Sequence, residues 1–265
     1  MQLPIYQVDA FASEVFRGNP AAVCPLETWL PDATMQAIAA ENNLAETAFF
    51  VETGPAQYHL RWFTPEVEVD LCGHATLASA AVLFEKRGQT APALTFETRS
   101  GPLVVTREPD GYTLDLPARR ARPLPPDRQV AVALGGEPAE LWLARDCMAV
   151  YTTEAEVRGL APDMAKLKAL GVFGFIATAP ADQTHSPGVD FVSRFFAPGA
   201  GVAEDPVTGS AHCTLVPYWA DRLAKTTLEA RQVSRRGGAL RCVIEGDRVR
   251  MTGHAVCYLE GTITV

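Results

Sequence analysis

The chain has 265 residues, 48% of them hydrophobic, enough for one large or two ordinary domains with full cores and no need of disulfide staples. A formal net charge of −8 argues against a nucleic-acid partner, whose binding needs clustered Lys and Arg. No apolar run reaches membrane-spanning length, residues 1–11 lack a signal-peptide pattern, and six scattered cysteines without a CxxC pair read as free thiols, so a cytoplasmic protein with no membrane association and no metal motif is expected.

In chain order, residues 5–11 read as a strand, Arg17-Gly18-Asn19-Pro20 as a turn, and 21–24 as a second strand. Pro31 opens a helix at its first position, with Met35, Ile38 and Ala39 as its apolar stripe and an end near Asn42-Asn43; a strand over 47–51 follows. Glu46 stands at the mouth of that strand among Leu44, Ala45, Ala48, Phe49 and Phe50. A strand over 58–63 runs to Thr64-Pro65 and an acidic loop, after which Gly73-His74-Ala75-Thr76 opens a helix of small and apolar residues. Such a helix is built to be buried on every side, and its buried N-terminal N–H groups call for an anionic partner. Strands over 93–97, 103–106 and 112–116 complete the first half, and residues 117–129, with four Pro and four Arg, read as a domain linker.

The same order returns roughly 130 residues later. Arg194-Phe195-Phe196-Ala197-Pro198 precedes an acidic loop through Glu204-Asp205, and Thr208-Gly209-Ser210-Ala211-His212 opens a second helix, which Pro217 is expected to kink or shorten. Pro162-Asp163 opens a helix, capped by Gly171, that leads into a strand over 172–178, as Pro31-Asp32 does in the first half. Glu46 has no acidic counterpart near Gly171, and an acid present in only one of two repeated halves suggests a one-sided chemical task. If the halves are related by a pseudo-twofold axis, the two helix N-termini face one cleft. Its walls would be His74 and Thr76 on one side and Asp205, Thr208 and Ser210 on the other.

Val8-Asp9-Ala10-Phe11, Gly18-Asn19-Pro20-Ala21-Ala22-Val23, Asn43-Leu44-Ala45-Glu46-Thr47, Cys72-Gly73-His74-Ala75-Thr76, Glu204-Asp205-Pro206-Val207-Thr208-Gly209-Ser210-Ala211 and Gly261-Thr262-Ile263 together resemble the PhzF-like phenazine biosynthesis isomerases of the diaminopimelate epimerase superfamily. The resemblance covers the whole chain. It implies an α+β fold of two pseudo-symmetric lobes, each a mixed, barrel-like sheet wrapped around a central helix, with the active site between them. Residues 1–118 and 256–265 would form the N-terminal lobe and 119–255 the C-terminal lobe. It also implies a homodimer without a cofactor, with Glu46 as the acid/base residue and His74 and Asp205 as catalytic companions. The substrate, a small carboxylate, would bind at Gly73, Ala75, Thr76, Thr208, Gly209 and Ser210.

The superfamily's epimerases use two thiols, one on each face of a carbon. Here Cys72 occupies the first position and Thr208 the second, and a threonine hydroxyl is too weak an acid to serve as the opposing thiolate. A cofactor-independent isomerase that moves a proton between carbons is therefore expected. A dehydratase or epimerase using Cys72 is the alternative within the superfamily, and a non-catalytic metabolite-binding or interaction protein is the alternative outside it.

Overall fold

The computed structural model describes residues 1–265. The chain forms two compact units, residues 1–116 with 251–265 and residues 117–250.

The first unit opens with β1 (Gln2–Ala10) antiparallel to β2 (Asn19–Leu26). Helix α1 (Asp32–Asn42) then crosses to β3 (Glu46–Gly54), which lies parallel to β2 with Ala21 beside Glu46. Pro31 is one residue earlier than expected: it is the N-cap, and Asp32 is the first helical residue. The helix stops because Asn43 adopts φ +49°, a left-handed conformation that Asn tolerates, and its N–H returns to Ala39 O at 3.1 Å. β3 pairs antiparallel with β4 (Gln57–Phe63), whose far end meets the short β5 (Glu68–Val69). α2 (Gly73–Glu85) follows, then β6 (Ala93–Glu97) parallel to β4, and β7 (Leu103–Glu108) and β8 (Gly111–Pro117) in antiparallel succession. Every residue of α2 from Gly73 to Phe84 is buried, with strands β1, β2, β3 and β7 packed around it. A sequence of Ala, Leu, Val and Ser permits this, because its small side chains let strands approach on all sides.

The second unit repeats the pairing. It contains β9 (Arg122–Leu124), α3 (Arg128–Leu134), β10 (Glu140–Leu143), β11 (Cys147–Val150), α4 (Glu154–Gly159), α5 (Met164–Ala169), β12 (Phe175–Pro180), β13 (Phe191–Ala197), β14 (Val202–Asp205), α6 (Gly209–Leu223), β15 (Thr227–Gln232) and β16 (Gly238–Glu245). β11 is parallel to β12, β12 antiparallel to β13, β13 antiparallel to β14 and parallel to β15, and β15 antiparallel to β16. These are the relationships of β2 to β7, in order. The chain then leaves through β17 (Arg248–Gly253), and β18 (Ala255–Thr264) returns to the first unit, antiparallel along all of β1.

In both units an arginine holds the loop that precedes the buried helix. Arg61 Nε and Nη2 grip the Glu68 carboxylate at 2.7 and 2.9 Å with the guanidinium over Phe63, and Arg194 grips Glu204 at 2.7 and 3.0 Å over Phe196. Paired bonds of this kind fix a loop's orientation as well as its position. Two of the acids that make these loops acidic in sequence are therefore already used.

Three expectations need correction. Residues 117–129 are not a plain linker, because β9 forms within them and pairs with β10. The strand expected over 172–178 starts at Phe175: Gly171 takes φ +69° past the end of α5, and a Cβ at Gly174 would stand 2.4 Å from the Phe195 ring, so this stretch is spent on a turn and a close crossing. Of the two effects expected of Pro217, a kink or a shortening, the shortening does not occur: α6 runs through it from Gly209 to Leu223. Proline removes the N–H that would reach Cys213 O, and the amide of Arg119 donates to that carbonyl at 2.7 Å instead. No helix is long and apolar enough to cross a membrane.

Candidate active site

Three outer helices of the second unit carry side-chain caps: Asp127 on α3, Thr153 on α4 with a reciprocal Glu156 contact, and Asp163 on α5. The two buried helices α2 and α6 have none, though their N-caps are Cys72 and Thr208. In each, a side chain four residues on donates back to the N-cap carbonyl, Thr76 Oγ1 to Cys72 O at 2.6 Å and His212 Nδ1 to Thr208 O at 2.8 Å. These bonds hold the first turn from inside and leave the capping position open.

In the first unit three expected residues converge with one that the sequence reading did not assign. Glu46 begins β3, and its Oε2 lies 3.1 Å from Nε2 of His74, in the first turn of α2; the two side chains are 14% and 4% exposed. The contact is short but off the line of a good hydrogen bond, so these two buried atoms have no aligned partner. On the other edge of the ring, Nδ1 is 3.1 Å from Asn19 Nδ2 and 3.4 Å from Cys72 Sγ. Burial pushes the Cys72 thiol up to about 11, helped by the charge of Glu46, so it stays protonated at neutral pH. Burial also opposes charge on His74, yet Cys72 and Glu46 on its two sides outweigh it and hold the ring above its ordinary value. Glu46, Cys72 and His74 offer one carboxylate, one thiol and one imidazole within 4.8 Å of one another. The thiol faces Nδ1 and the carboxylate Nε2, so one ion could not take all three with the ring as it stands.

In the second unit Asp205 ends β14 and accepts a 2.6 Å hydrogen bond from the Thr208 hydroxyl. Gln232, fully buried at the end of β15, secures this turn: its Nε2 donates to Asp205 O and Thr208 Oγ1, and its Oε1 accepts from the Thr208 amide. Both donors expected of Thr208 are thus engaged within the unit. Ser210 Oγ accepts from Arg145 Nη2 at 3.1 Å, and Arg145 is itself paired with the buried Asp146 and laid over Phe173. Burial pushes His212 down to about 4, which keeps it neutral with its hydrogen on Nδ1.

Sequence reasoning missed Asn19, Gln232 and Arg145 as members of these clusters. Asn19 lies in Gly18-Asn19-Pro20, a sequence that reads as a turn. Gln232 and Arg145 carry no local signal, being brought to the helix by the pairing of β15 with β13 and by the turn after β10.

A family model described as phenazine biosynthesis-like protein, PhzC-PhzF, matches residues 8–261. The chain belongs to this family. It is 52% identical over 263 residues to an uncharacterized isomerase of Pseudomonas aeruginosa, covering 99% of each chain. A crystal structure of a PhzF-family protein from Enterococcus faecalis superposes with a TM-score of 0.95 at 50% identity over all of both chains. A hydroxyproline epimerase from Agrobacterium vitis shares the fold at a TM-score of 0.63 and 12% identity, covering 99% of this chain and 92% of that one. The PhzF-family chain described here is an isomerase with the epimerase-like, two-lobed barrel architecture.

Proposed function

We propose that the protein is a cofactor-independent isomerase in which Glu46 takes a proton from one carbon of a small carboxylate-bearing metabolite and returns it to another. The observation that carries this reading is the Glu46–His74 contact of 3.1 Å at the uncapped start of a buried helix. The carboxylate accepts the proton, negative charge spreads over the substrate's conjugated carbons, and the neutral carboxylic acid then gives the proton back at the far end of that system. Bonds and charge balance without a redox partner. His74, beside the carboxylate, supplies a hydrogen-bond donor to the charge that develops, and the amides of Gly73 and Ala75 at the head of α2 favour an anionic group. Thr76 supports that turn. At the head of α6 we propose that Gly209 and Ser210, with Arg145 at the serine, favour a carboxylate, and that Asp205 is the charged member of that turn.

A dehydratase working through Cys72 is disfavoured by the thiol's burial, which keeps it from the thiolate form. We also propose a cytoplasmic homodimer; the exposed rings of Phe16 and Tyr258, 5.5 Å apart, support a covered face on the first unit. Light scattering that gave a monomer's mass at micromolar concentration would remove the dimer.

The test of the reaction is solvent deuterium exchange. Wild-type protein and Glu46→Gln are incubated in D2O with a panel of small unsaturated carboxylates and followed by proton NMR. The wild type should place deuterium at a new carbon of at least one of them, and Glu46→Gln should slow this by about 10² to 10⁴, the usual worth of a positioned acid/base group. Equal exchange by both proteins would show the proton travelling through another residue.

A further inference from the structure

The Gly18-Asn19-Pro20 turn takes no part in the proton transfer just proposed, yet it sends one side chain to the ring of His74. Gly18 has φ +63°, and a Cβ there would stand 2.1 Å from Ala10 O, so only glycine makes this turn without displacing β1. The turn sets Asn19 at the start of β2, paired with Ala10 and fully buried. Asn19 Nδ2 then lies 3.1 Å from His74 Nδ1. An amide nitrogen has only hydrogens to offer, so in the neutral ring the nitrogen facing it supplies the lone pair. The Cys72 thiol, 3.4 Å from the same Nδ1, can donate to it as well.

We propose that Asn19 is a positioning residue: by donating to Nδ1 it holds the neutral His74 ring with its proton on Nε2, so that His74 gives a hydrogen toward Glu46 and does not accept one there. The assignment rests on reading Glu46 as the proton carrier, and it decides the role of His74 in that reading. With Glu46 ionised, the Nε2–H lies near the carboxylate 3.1 Å away and favours it electrostatically, short of an aligned hydrogen bond. Once Glu46 has taken the substrate's proton, the same N–H is released to the negative charge left on the substrate. The opposite tautomer would set a ring lone pair against the carboxylate, two acceptors with no hydrogen between them. Protonation of the ring leaves Nε2–H in place and adds a hydrogen at Nδ1, which the Asn19 amide meets by turning its oxygen inward.

The titratable groups facing the ring within this unit are Glu46 from β3 and Cys72 from the head of α2. Asp9, buried on β1, is turned instead to the Phe16 amide, which donates to its Oδ2 at 2.8 Å.

The experiment is multiple-bond ¹H–¹⁵N correlation on protein labelled at histidine, with the His74 signals assigned by their loss in His74→Gln. No substrate is needed. Once the ring is neutral, wild type should show a pyridine-type Nδ1 and a pyrrole-type Nε2. Asn19→Asp, whose carboxylate can only accept, should move the proton to Nδ1 and raise the midpoint of the ring's titration. Asn19→Ser, whose hydroxyl can donate or accept, should give a mixture, and supplies the answer if the aspartate variant does not fold by near-UV circular dichroism. A wild-type neutral ring protonated at Nδ1 would overturn the proposal, and so would folded Asn19 variants with unchanged tautomer and midpoint. The reading beneath it fails separately: a correct tautomer together with undiminished deuterium exchange in Glu46→Gln would remove Glu46 as carrier and leave the Asn19 assignment standing.

Discussion

Oε2 of Glu46 stands 3.1 Å from Nε2 of His74, and neither side chain has more than 14% of its surface exposed. Folding therefore favours the protonated imidazole, which sits above the ordinary 6.5 despite burial. A histidine raised in the folded state adds stability that is complete below the unfolded value near 6.5 and is lost as pH climbs through the folded value. The melting temperature of wild type minus that of His74→Gln should be largest in mild acid and should shrink toward alkaline pH. A difference that grew with pH would mean the ring is held neutral.

Cys72 touches the same ring, yet its thiol is pushed up to about 11 by burial. Being protonated at neutral pH, it should alkylate slowly with iodoacetamide, and Cys72→Ala should keep turnover within about tenfold of wild type, well short of the 10² to 10⁴ expected for an acid/base group. A loss in that larger range would revive the dehydratase reading.

His212 behaves in the opposite sense from His74. Burial lowers it from 6.5 to about 4, so the unfolded chain takes up a proton first as pH falls. The stability this neutral ring contributes is present above pH 6.5 and fades on the way down to 4, a loss on the order of 3 kcal/mol at about 1.4 kcal/mol per pH unit. His212→Gln can still donate to the Thr208 carbonyl and does not titrate. Urea melts across this range should give the variant the shallower slope, and equal slopes would show that the ring is reached by water in the folded state.

Gly18→Ala should destabilise the first unit and disturb His74 together. The side chain would be forced to φ +63° and would meet Ala10 O at 2.1 Å. Such a backbone conformation alone costs about 1–3 kcal/mol, and the clash adds to it. Denaturant titration should show at least that loss, and a variant as stable as wild type would mean that β1 yields easily to the added methyl group.

Much of the fold was legible before folding was considered. The repeated Gly-containing helix starts, the Arg-x-Phe strands before them and the Pro-Asp helix openings identified two halves of one pattern, because turn and cap residues act through local backbone geometry that does not depend on distant contacts. The strand pairing of β2 to β7 and its repetition in β11 to β16 follow that pattern. The strand β9 was hidden because Pro and Arg dominate its stretch, and a strand of three residues is decided by its partner β10 rather than by its own propensity. The survival of α6 through Pro217 was hidden for a similar reason, since the Arg119 amide that satisfies Cys213 lies far away in sequence.

The same division runs through the site. Sequence by itself singled out Glu46, His74, Asp205 and the two helix starts, since an unmatched acid in an apolar strand mouth and a Gly-opened helix of small apolar residues are visible as residue types in order. What each group can donate or accept was decided only by tertiary structure. Asn19 faces Nδ1 because α2 packs against β2, Thr208 is committed to Gln232 because β15 lies beside β13, and Cys72 remains a thiol because strands enclose α2. Hydrogen-bond direction and protonation depend on neighbours within a few ångströms, and those neighbours are drawn from elements far apart in the chain.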